Sequence, residues 1–202
     1  MERQQGIDRG DRTAIWFTAI VATIAAICVV VAAVQRVIEV LTARQIPVLA
    51  PFRGERAALP IGPDGADVMV TVNEAVIPAS DLAPITTASL VLEAIVGATG
   101  ILGALACLAL LCVNLARGIA FSRANTRLLM LGTVAIIVAW AGGGLFRTMG
   151  VNGTFAAVSD RSYDNVLFAT DLTPVAIVLT LAAVGTAFGV GERLQRDTEG
   201  LV

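Results

Sequence analysis

The chain has 202 residues, of which 56% are hydrophobic and 15% are charged, and its mean hydropathy is +0.82. Soluble domains carry about 25% charged residues, and a water-soluble globule of this length has too little interior to hide so much apolar surface. The net charge of −2 argues against direct binding of nucleic acid, which requires clustered positive charge. The composition therefore predicts a single membrane domain over residues 1–202.

Residue types that carry much of enzyme chemistry are scarce. His is absent, which removes the commonest general base and the commonest metal ligand. The three cysteines, Cys28, Cys107 and Cys112, lie in apolar runs without a CxxC motif and are interpreted as packing residues. The sequence contains neither a nucleophile elbow nor a phosphate-binding loop. We therefore predict a protein that is not an enzyme and has no cofactor or metal.

Apolar stretches predict four membrane-spanning helices, at residues 14–36, 88–115, 127–147 and 173–191. Each is close to or above the ~20 residues needed to cross a ~30 Å hydrocarbon core. The first stretch has an alternative interpretation as a cleaved signal peptide, with Val31-Ala32-Ala33 as the cleavage site. Its apolar run exceeds the ~7–15 residues of a signal segment. We therefore favour an uncleaved span and an all-α, four-helix membrane bundle.

A small β element is predicted outside the membrane. The connection at residues 42–86 holds six of the seven prolines and is unsuited to a long helix. Within it, residues 67–72 alternate between two faces like a strand, after a turn signal at Pro63-Asp64-Gly65. Residues 45–52 are a candidate partner strand. The connection at residues 148–171 is expected to add two short strands, which are predicted at 154–159 and 165–170.

The arginines predict an orientation. The connection at residues 116–126, together with Arg127, holds three arginines and no acid. Short cytoplasmic loops are enriched in basic residues. All 14 basic residues of the chain are Arg and none is Lys, which is typical of a high-GC bacterial genome. We therefore predict a bacterial cytoplasmic membrane protein in which this loop, both termini and the tail at 192–202 lie in the cytoplasm. The other two connections, with the β element, then lie outside.

Small residues predict where the helices pack, because lipid offers no hydrophobic drive for helices to associate. One stripe of the second span is small in its middle and polar at its ends: Glu93, Gly97, Gly100, Ala104, Cys107, Leu111 and Asn114. In the fourth span, Gly185 and Gly189 form a GxxxG pair. That pair is interpreted first as packing within the chain and second as a homo-oligomer contact.

Glu93 is the one acidic residue predicted inside a span. An intramembrane ionisable group is a functional hypothesis by default. The alternative is that Glu93 lies only a turn or two into the outer leaflet and reaches the interface or Arg147 at the outer end of the third span. We favour this structural alternative.

Two segments carry a family resemblance: GIAFSRANTRLLMLG at residues 118–132 and FGVGERLQRDTEGLV at residues 188–202. They resemble the bacterial membrane family named domain of unknown function 2975, in its actinobacterial form. The layout of four spans with a long first outer connection also fits, so the resemblance covers nearly the whole chain. Leu128 and Leu129 depart from it, because relatives often carry another basic residue there.

The resemblance implies no known activity and no catalytic residues. Members of that family are frequently encoded beside a small helix-turn-helix regulator, which implies a cytoplasmic partner of that kind. The candidate contacts to such a partner, or to anionic lipid headgroups, are Arg117, Phe121, Arg123, Asn125, Arg127, Arg193 and Arg196. Asn125 is also a candidate N-cap of the third span, and Phe121 a candidate interface anchor.

The function predicted from these features is that of a non-enzymatic membrane regulator or interaction protein acting with a cytoplasmic partner. The alternative is a component of a small oligomeric transporter or channel. Glu93, Thr99 and Asn114 are the only polar features of the second span that favour this alternative.

Overall fold

The computed structural model describes residues 9–119, 122–163 and 172–199. In chain order these form α1 (Arg9–Thr42), β1 (Ile46–Leu59), a 3-10 turn (Pro63–Gly65), β2 (Val68–Ala79), α2 (Pro84–Ala116), α3 (Arg123–Ile137), a π-helical turn (Val138–Gly142), α4 (Gly143–Val158) and α5 (Thr173–Glu199). Four helical segments are long and apolar enough to cross a membrane: Ile15–Thr42, Pro84–Ala116, Arg123–Val158 and Thr173–Leu194. By length and composition, the predicted set of four long apolar helices is confirmed.

The first three of these segments are longer than a bilayer requires. They contain 28, 33 and 36 residues, which corresponds to about 42, 50 and 54 Å of helix, against a hydrocarbon core of ~30 Å. The third continues to Val158, eleven residues beyond the predicted end of the span at residue 147. Each of the three therefore has turns to spare for packing outside the hydrocarbon layer.

The chain divides into two compact units. The helical unit consists of Met1–Gln35, Ala94–Gly143 and Asp171–Val202, and the hairpin unit consists of Arg36–Glu93 and Gly144–Thr170. The hairpin unit therefore combines both strands with the last turns of α1, the first turns of α2 and nearly all of α4.

Within the hairpin unit, β1 and β2 pair antiparallel from Ile46↔Ala79 to Leu59↔Val68. The predicted strand near 67–72 and the turn before it are confirmed. Residues 68–72 pair with 55–59, however, and not with the predicted partner at 45–52. The reason is that β1 is longer than predicted and continues past an irregularity between Pro51 and Glu55.

The core of the hairpin unit lies between the hairpin and the helical turns. Alternate residues of β1 point inward, so that Ile46, Val48 and Ala50 are buried while Leu49 is exposed. They belong to one apolar cluster with Val40, Leu90, Val151 and Phe155. The ring of Phe155 meets Phe52 edge-on at 5.4 Å and Tyr163 at 5.5 Å.

The strand predicted at 154–159 is wrong, because this segment is helical through Val158. Its buried residues, Val151, Thr154 and Phe155, recur at the helical spacing of three and four and cover one face of α4. The segment contributes to the hairpin unit by packing Phe155 on Phe52 and not by strand pairing. In the described part of the chain, the sheet comes from the first connection alone, and the second predicted strand, at 165–170, lies outside the described residues.

In the helical unit, α3 packs against α5, and α2 approaches α3 closely at Gly100. A Cβ placed on Gly100 would lie 2.6 Å from the carbonyl oxygen of Ala135 and 2.7 Å from the Cβ of Ala139. Ala139 belongs to the π-helical turn, which ends at Gly142, the first of three consecutive glycines. A π-helical turn holds more residues than an α-helical turn and locally widens the helix, and the absence of a side chain at Gly100 leaves room for it.

Candidate interaction site at the 116–126 loop

The 116–126 loop begins with a defined helix end. Gly118 adopts a left-handed conformation with φ +77°. Its N–H donates to Leu115 O at 2.9 Å, and the N–H of Ile119 donates to Asn114 O at 3.0 Å. This pair of bonds is a Schellman motif, which satisfies the last carbonyls of α2. The chain therefore leaves α2 in a fixed direction.

Asn125 is fully buried and joins the two ends of the loop. Its side-chain amide donates to Ile119 O at 2.7 Å, and its side-chain oxygen accepts from Asn114 Nδ2 at 2.7 Å. Buried polar groups near lipid must find partners within the protein. The polar end of the α2 stripe, Asn114, thus faces α3 and holds the loop against it.

The predicted N-cap role of Asn125 is wrong. The N-cap of α3 is Ser122, whose hydroxyl accepts from the N–H of Asn125 at 3.2 Å. A serine three residues earlier occupies the extended backbone position that a cap requires. The Asn125 side chain closes the loop instead, through its bonds to Asn114 and Ile119.

The loop is also joined to α5. Arg123 Nε donates to Glu192 Oε1 at 3.2 Å. The Arg123 side chain is mostly exposed, while that of Glu192 is mostly covered. The first turn of α3 and the tail that begins at residue 192 therefore meet at one surface, and sequence reasoning gave Glu192 no role.

Arg127 lies one helical turn after Arg123, Arg193 directly follows Glu192, and Arg117 lies at the end of α2. Arg117, Arg127 and Arg193 are exposed, so their guanidinium groups are available to anionic partners. Phe121 lies outside the described residues, as does the side chain of Arg196. We call the surface formed by Arg117, Arg123, Arg127, Glu192 and Arg193 the arginine surface.

The predicted packing residues fall into two groups. Gly100 contacts α3 and the π-helical turn, and Ala104 lines an apolar cavity beside α3. A Cβ on Gly97, Gly185 or Gly189 would meet no described heavy atom within 4 Å. The Cβ positions of the GxxxG pair are therefore open in the described structure, and its packing role stays a prediction.

Glu93 belongs to the hairpin unit, where it is half-buried. It interacts electrostatically with Arg147, the partner named in the structural alternative, and also with Arg36. Arg36 in turn donates to Glu39 at 2.6 Å and to Pro47 O at 2.9 Å. Glu93 therefore belongs to a charge cluster that ties the helix ends to β1.

Tyr163 ties the segment after α4 to the hairpin, because its hydroxyl donates to Glu55 Oε1 at 3.0 Å. Partial removal of the phenol from water raises the pKa of Tyr163, and so does Glu55, which accepts its hydrogen bond and repels a phenolate. Arg53 acts in the opposite direction. The folded state therefore holds the phenolic proton more tightly than the unfolded chain does.

We expect the phenol of Tyr163 to titrate above the ordinary tyrosine pKa of about 10, and Glu55→Gln to lower its midpoint. Since Tyr163 is the only tyrosine, ultraviolet absorbance of the phenolate measures it directly. The stability contributed by this group is present below pH ~10 and is lost as the pH rises further. Glu74→Gln, an exposed change on β2, is the control, and an equal midpoint in both variants would contradict the assignment.

In the described ranges, no three His, Cys, Asp or Glu side chains lie close enough to hold a metal ion.

No family model, curated protein or solved structure matches the chain. The resemblance in the loop and the tail therefore stays a prediction.

Proposed function

We propose that this chain is a non-enzymatic, multi-pass protein of the bacterial cytoplasmic membrane whose arginine surface binds a cytoplasmic protein. The observation that carries the proposal is the Arg123–Glu192 ion pair, which joins the loop to the tail. The two segments that carry the family resemblance thereby contribute to one surface. An exposed ion pair of this kind adds little stability, about 0–1 kcal/mol, so its value lies more in arranging the surface than in holding the fold.

The fixed ends of the loop support a binding role. The Schellman end of α2, the Ser122 cap and the buried Asn125 fix the backbone from Asn114 to Asn125 at both of its ends. A surface that is ordered before binding loses less entropy when a partner docks. Arginines also suit such a surface, since they are enriched at protein interfaces.

The orientation follows from the same residues. The loop carries arginines and no acid, which favours the cytoplasmic side. A small helix-turn-helix regulator is the partner implied by the resemblance, and acidic side chains on it would complement the arginine surface. In this arrangement the hairpin unit lies outside and can respond to conditions there.

The transporter alternative receives less support. The cavity of the helical unit is lined by apolar side chains together with the hydroxyl of Thr133, and this lining offers an ion or a polar solute no continuous set of ligands. The face of α5 that carries Gly185 and Gly189 leaves room for a second copy of the chain, since small residues allow close helix packing. A transport pathway would then have to form as a pore between the copies.

The test is crosslinking in the native bacterium, followed by mild detergent extraction and mass spectrometry of the captured proteins. We expect a helix-turn-helix protein to be captured by the wild type and lost in Arg123→Glu, because that change sets two acids against each other. The double variant Arg123→Glu/Glu192→Arg restores the ion pair and should restore capture. Arg56→Glu, an exposed change on β1, is the control.

Two results would count against the proposal. One is recovery of no cytoplasmic protein by the wild type after crosslinking. The other is capture that Arg123→Glu leaves unchanged relative to Arg56→Glu, because the arginine surface would then have no part in binding.

A further inference from the structure

The helical unit contains an apolar cavity of about 340 Å³ between α2, α3 and α5. Its lining includes Ala104 and Leu111 from α2, Leu128, Gly132 and Ile136 from α3, and Leu181 from α5. Water needs several polar partners, and Thr133 is the one hydroxyl residue among the lining residues. The lining therefore suits an apolar occupant.

The length of the cavity matches one leaflet of a bilayer. Along α2 its lining runs from residue 101 to residue 111, about 15 Å at 1.5 Å per residue. Along α3 it runs from residue 128 to residue 136, or about 12 Å. Half of a ~30 Å hydrocarbon core is ~15 Å, so an acyl chain that enters from one leaflet fits the cavity lengthwise.

The charge at one end of the cavity indicates which lipid would occupy it. Leu128 lines the cavity and directly follows Arg127, which is exposed. Arg117, also exposed, lies six residues beyond Leu111 at the end of α2. The loop between them contains no acid, and Glu192 of α5, which reaches this end, is paired with Arg123. An anionic headgroup at this end would therefore meet basic side chains at the level where headgroups lie.

We propose that the helical unit binds one anionic phospholipid, with an acyl chain in the cavity and the phosphate at Arg127 and Arg117. The site lies in the leaflet on the side of the 116–126 loop. Arg117 and Arg127 also belong to the arginine surface, but the acyl-chain site is formed by the apolar lining and does not depend on a partner protein. The partner proposal is tested at Arg123 and Glu192, so it can fail without affecting the lipid site. A lipid is the occupant because the cavity belongs to helices long and apolar enough to span a membrane and basic side chains lie at the level of its end.

The first test is native mass spectrometry of the protein reconstituted with phosphatidylglycerol or with phosphatidylethanolamine and then extracted in mild detergent. We expect one bound phosphatidylglycerol, and loss of that adduct in Ala104→Phe, whose ring fills the cavity. Ala32→Phe, a matched change at an exposed position of α1, should retain the adduct. Equal retention of both lipids, or an adduct that survives in Ala104→Phe, would mean ordinary annular lipid and overturn the proposal.

The second variant tests the headgroup contact. One arginine near anionic lipid contributes about a fivefold gain in affinity, so Arg127→Gln should weaken phosphatidylglycerol retention by about that factor. Arg56→Gln, on the hairpin, should leave it unchanged. Retention that is equal in the two variants would remove Arg127 from the site.

A third measurement does not depend on the folding of any variant. Wild-type protein in vesicles that contain phosphatidylglycerol with a photoreactive acyl chain is irradiated, and the labelled peptides are mapped. We expect adducts concentrated at residues 101–111 and 128–136. Labelling at similar levels on all the helices, with α1 and α5 labelled as strongly as residues 101–111 and 128–136, would overturn the assignment.

Discussion

Gly100→Ala is expected to lower the thermal stability of the detergent-solubilised protein, whereas Gly97→Ala, one turn earlier in the same helix, is expected to leave it unchanged or raise it. A Cβ at residue 100 would lie 2.6 Å from the backbone oxygen of Ala135 and 2.7 Å from the backbone nitrogen of Ala139. A Cβ at residue 97 meets no described heavy atom within 4 Å. The two substitutions are chemically identical and differ only in this contact.

Two opposing free-energy terms decide whether each substitution stabilises or destabilises the protein. Replacing glycine with alanine within a helix favours folding by about 1 kcal/mol at either position. Overpacking costs about 1–3 kcal/mol, and at Gly100 the obstructing atoms are two backbone atoms and the Cβ of Ala139, none of which can rotate away. The difference between the variants is therefore expected to be about 1–3 kcal/mol, with Gly100→Ala the less stable. Equal melting temperatures for the Gly100→Ala and Gly97→Ala variants would show that α2 and α3 are not in contact at Gly100.

The contact matters because helices in lipid associate mainly through close packing. Gly100 opposes both the end of α3 and the π-helical turn, so an obstruction there disturbs two consecutive segments of the third span. Gly103, one turn further along α2, would place a Cβ 3.3 Å from the Cβ of Ala135. The small side chains of α2 and α3 therefore set the distance between the two helices.

The stripe of small residues on α2 shows which packing features can be predicted from residue spacing and which cannot. Helical spacing predicts the face that carries Gly97, Gly100 and Asn114, and the structure brings the latter two against α3 or the segment that follows it. The spacing does not reveal which glycine lies at the crossing point, since this depends on the angle between the helices and on the π-helical turn. The Gly185–Gly189 pair shows the same limit, because the motif is present but a Cβ at either glycine would meet no described heavy atom within 4 Å.

The secondary structure and capping of short segments near helix ends are the hardest features to predict from this sequence. Residues 154–159 contain β-branched and aromatic residues that are compatible with a strand, yet their burial follows the helical period once α4 continues from the membrane. Asn125 has the chemistry of an N-cap, but Ser122 takes that position. In both cases a tertiary contact decides between local alternatives of similar energy.

The buried amide of Asn125 leads to the second large effect, since Asn125→Ala is expected to lower stability by about 1–3 kcal/mol. The change leaves the side chain of Asn114 and the carbonyl of Ile119 without the partners that they have at 2.7 Å. A fully buried group left unsatisfied costs about 1–3 kcal/mol, but Asn114 is half-buried and Ile119 is exposed, so water offsets part of the loss at each. Asn73→Ala, at an exposed position of β2, is the control and should change stability by less than about 0.5 kcal/mol.

A double-mutant cycle separates the contact between the two asparagines from their other roles. If Asn114 and Asn125 hold the loop together, the combined Asn114→Ala/Asn125→Ala variant should be less destabilised than the sum of the single variants, with a coupling of about 0.5–3 kcal/mol. Strict additivity in thermal or denaturant unfolding would mean that the 2.7 Å contact does not form. Because the same amide fixes the start of α3, Asn125→Ala should also loosen the arginine surface, so that capture of a cytoplasmic partner falls together with stability.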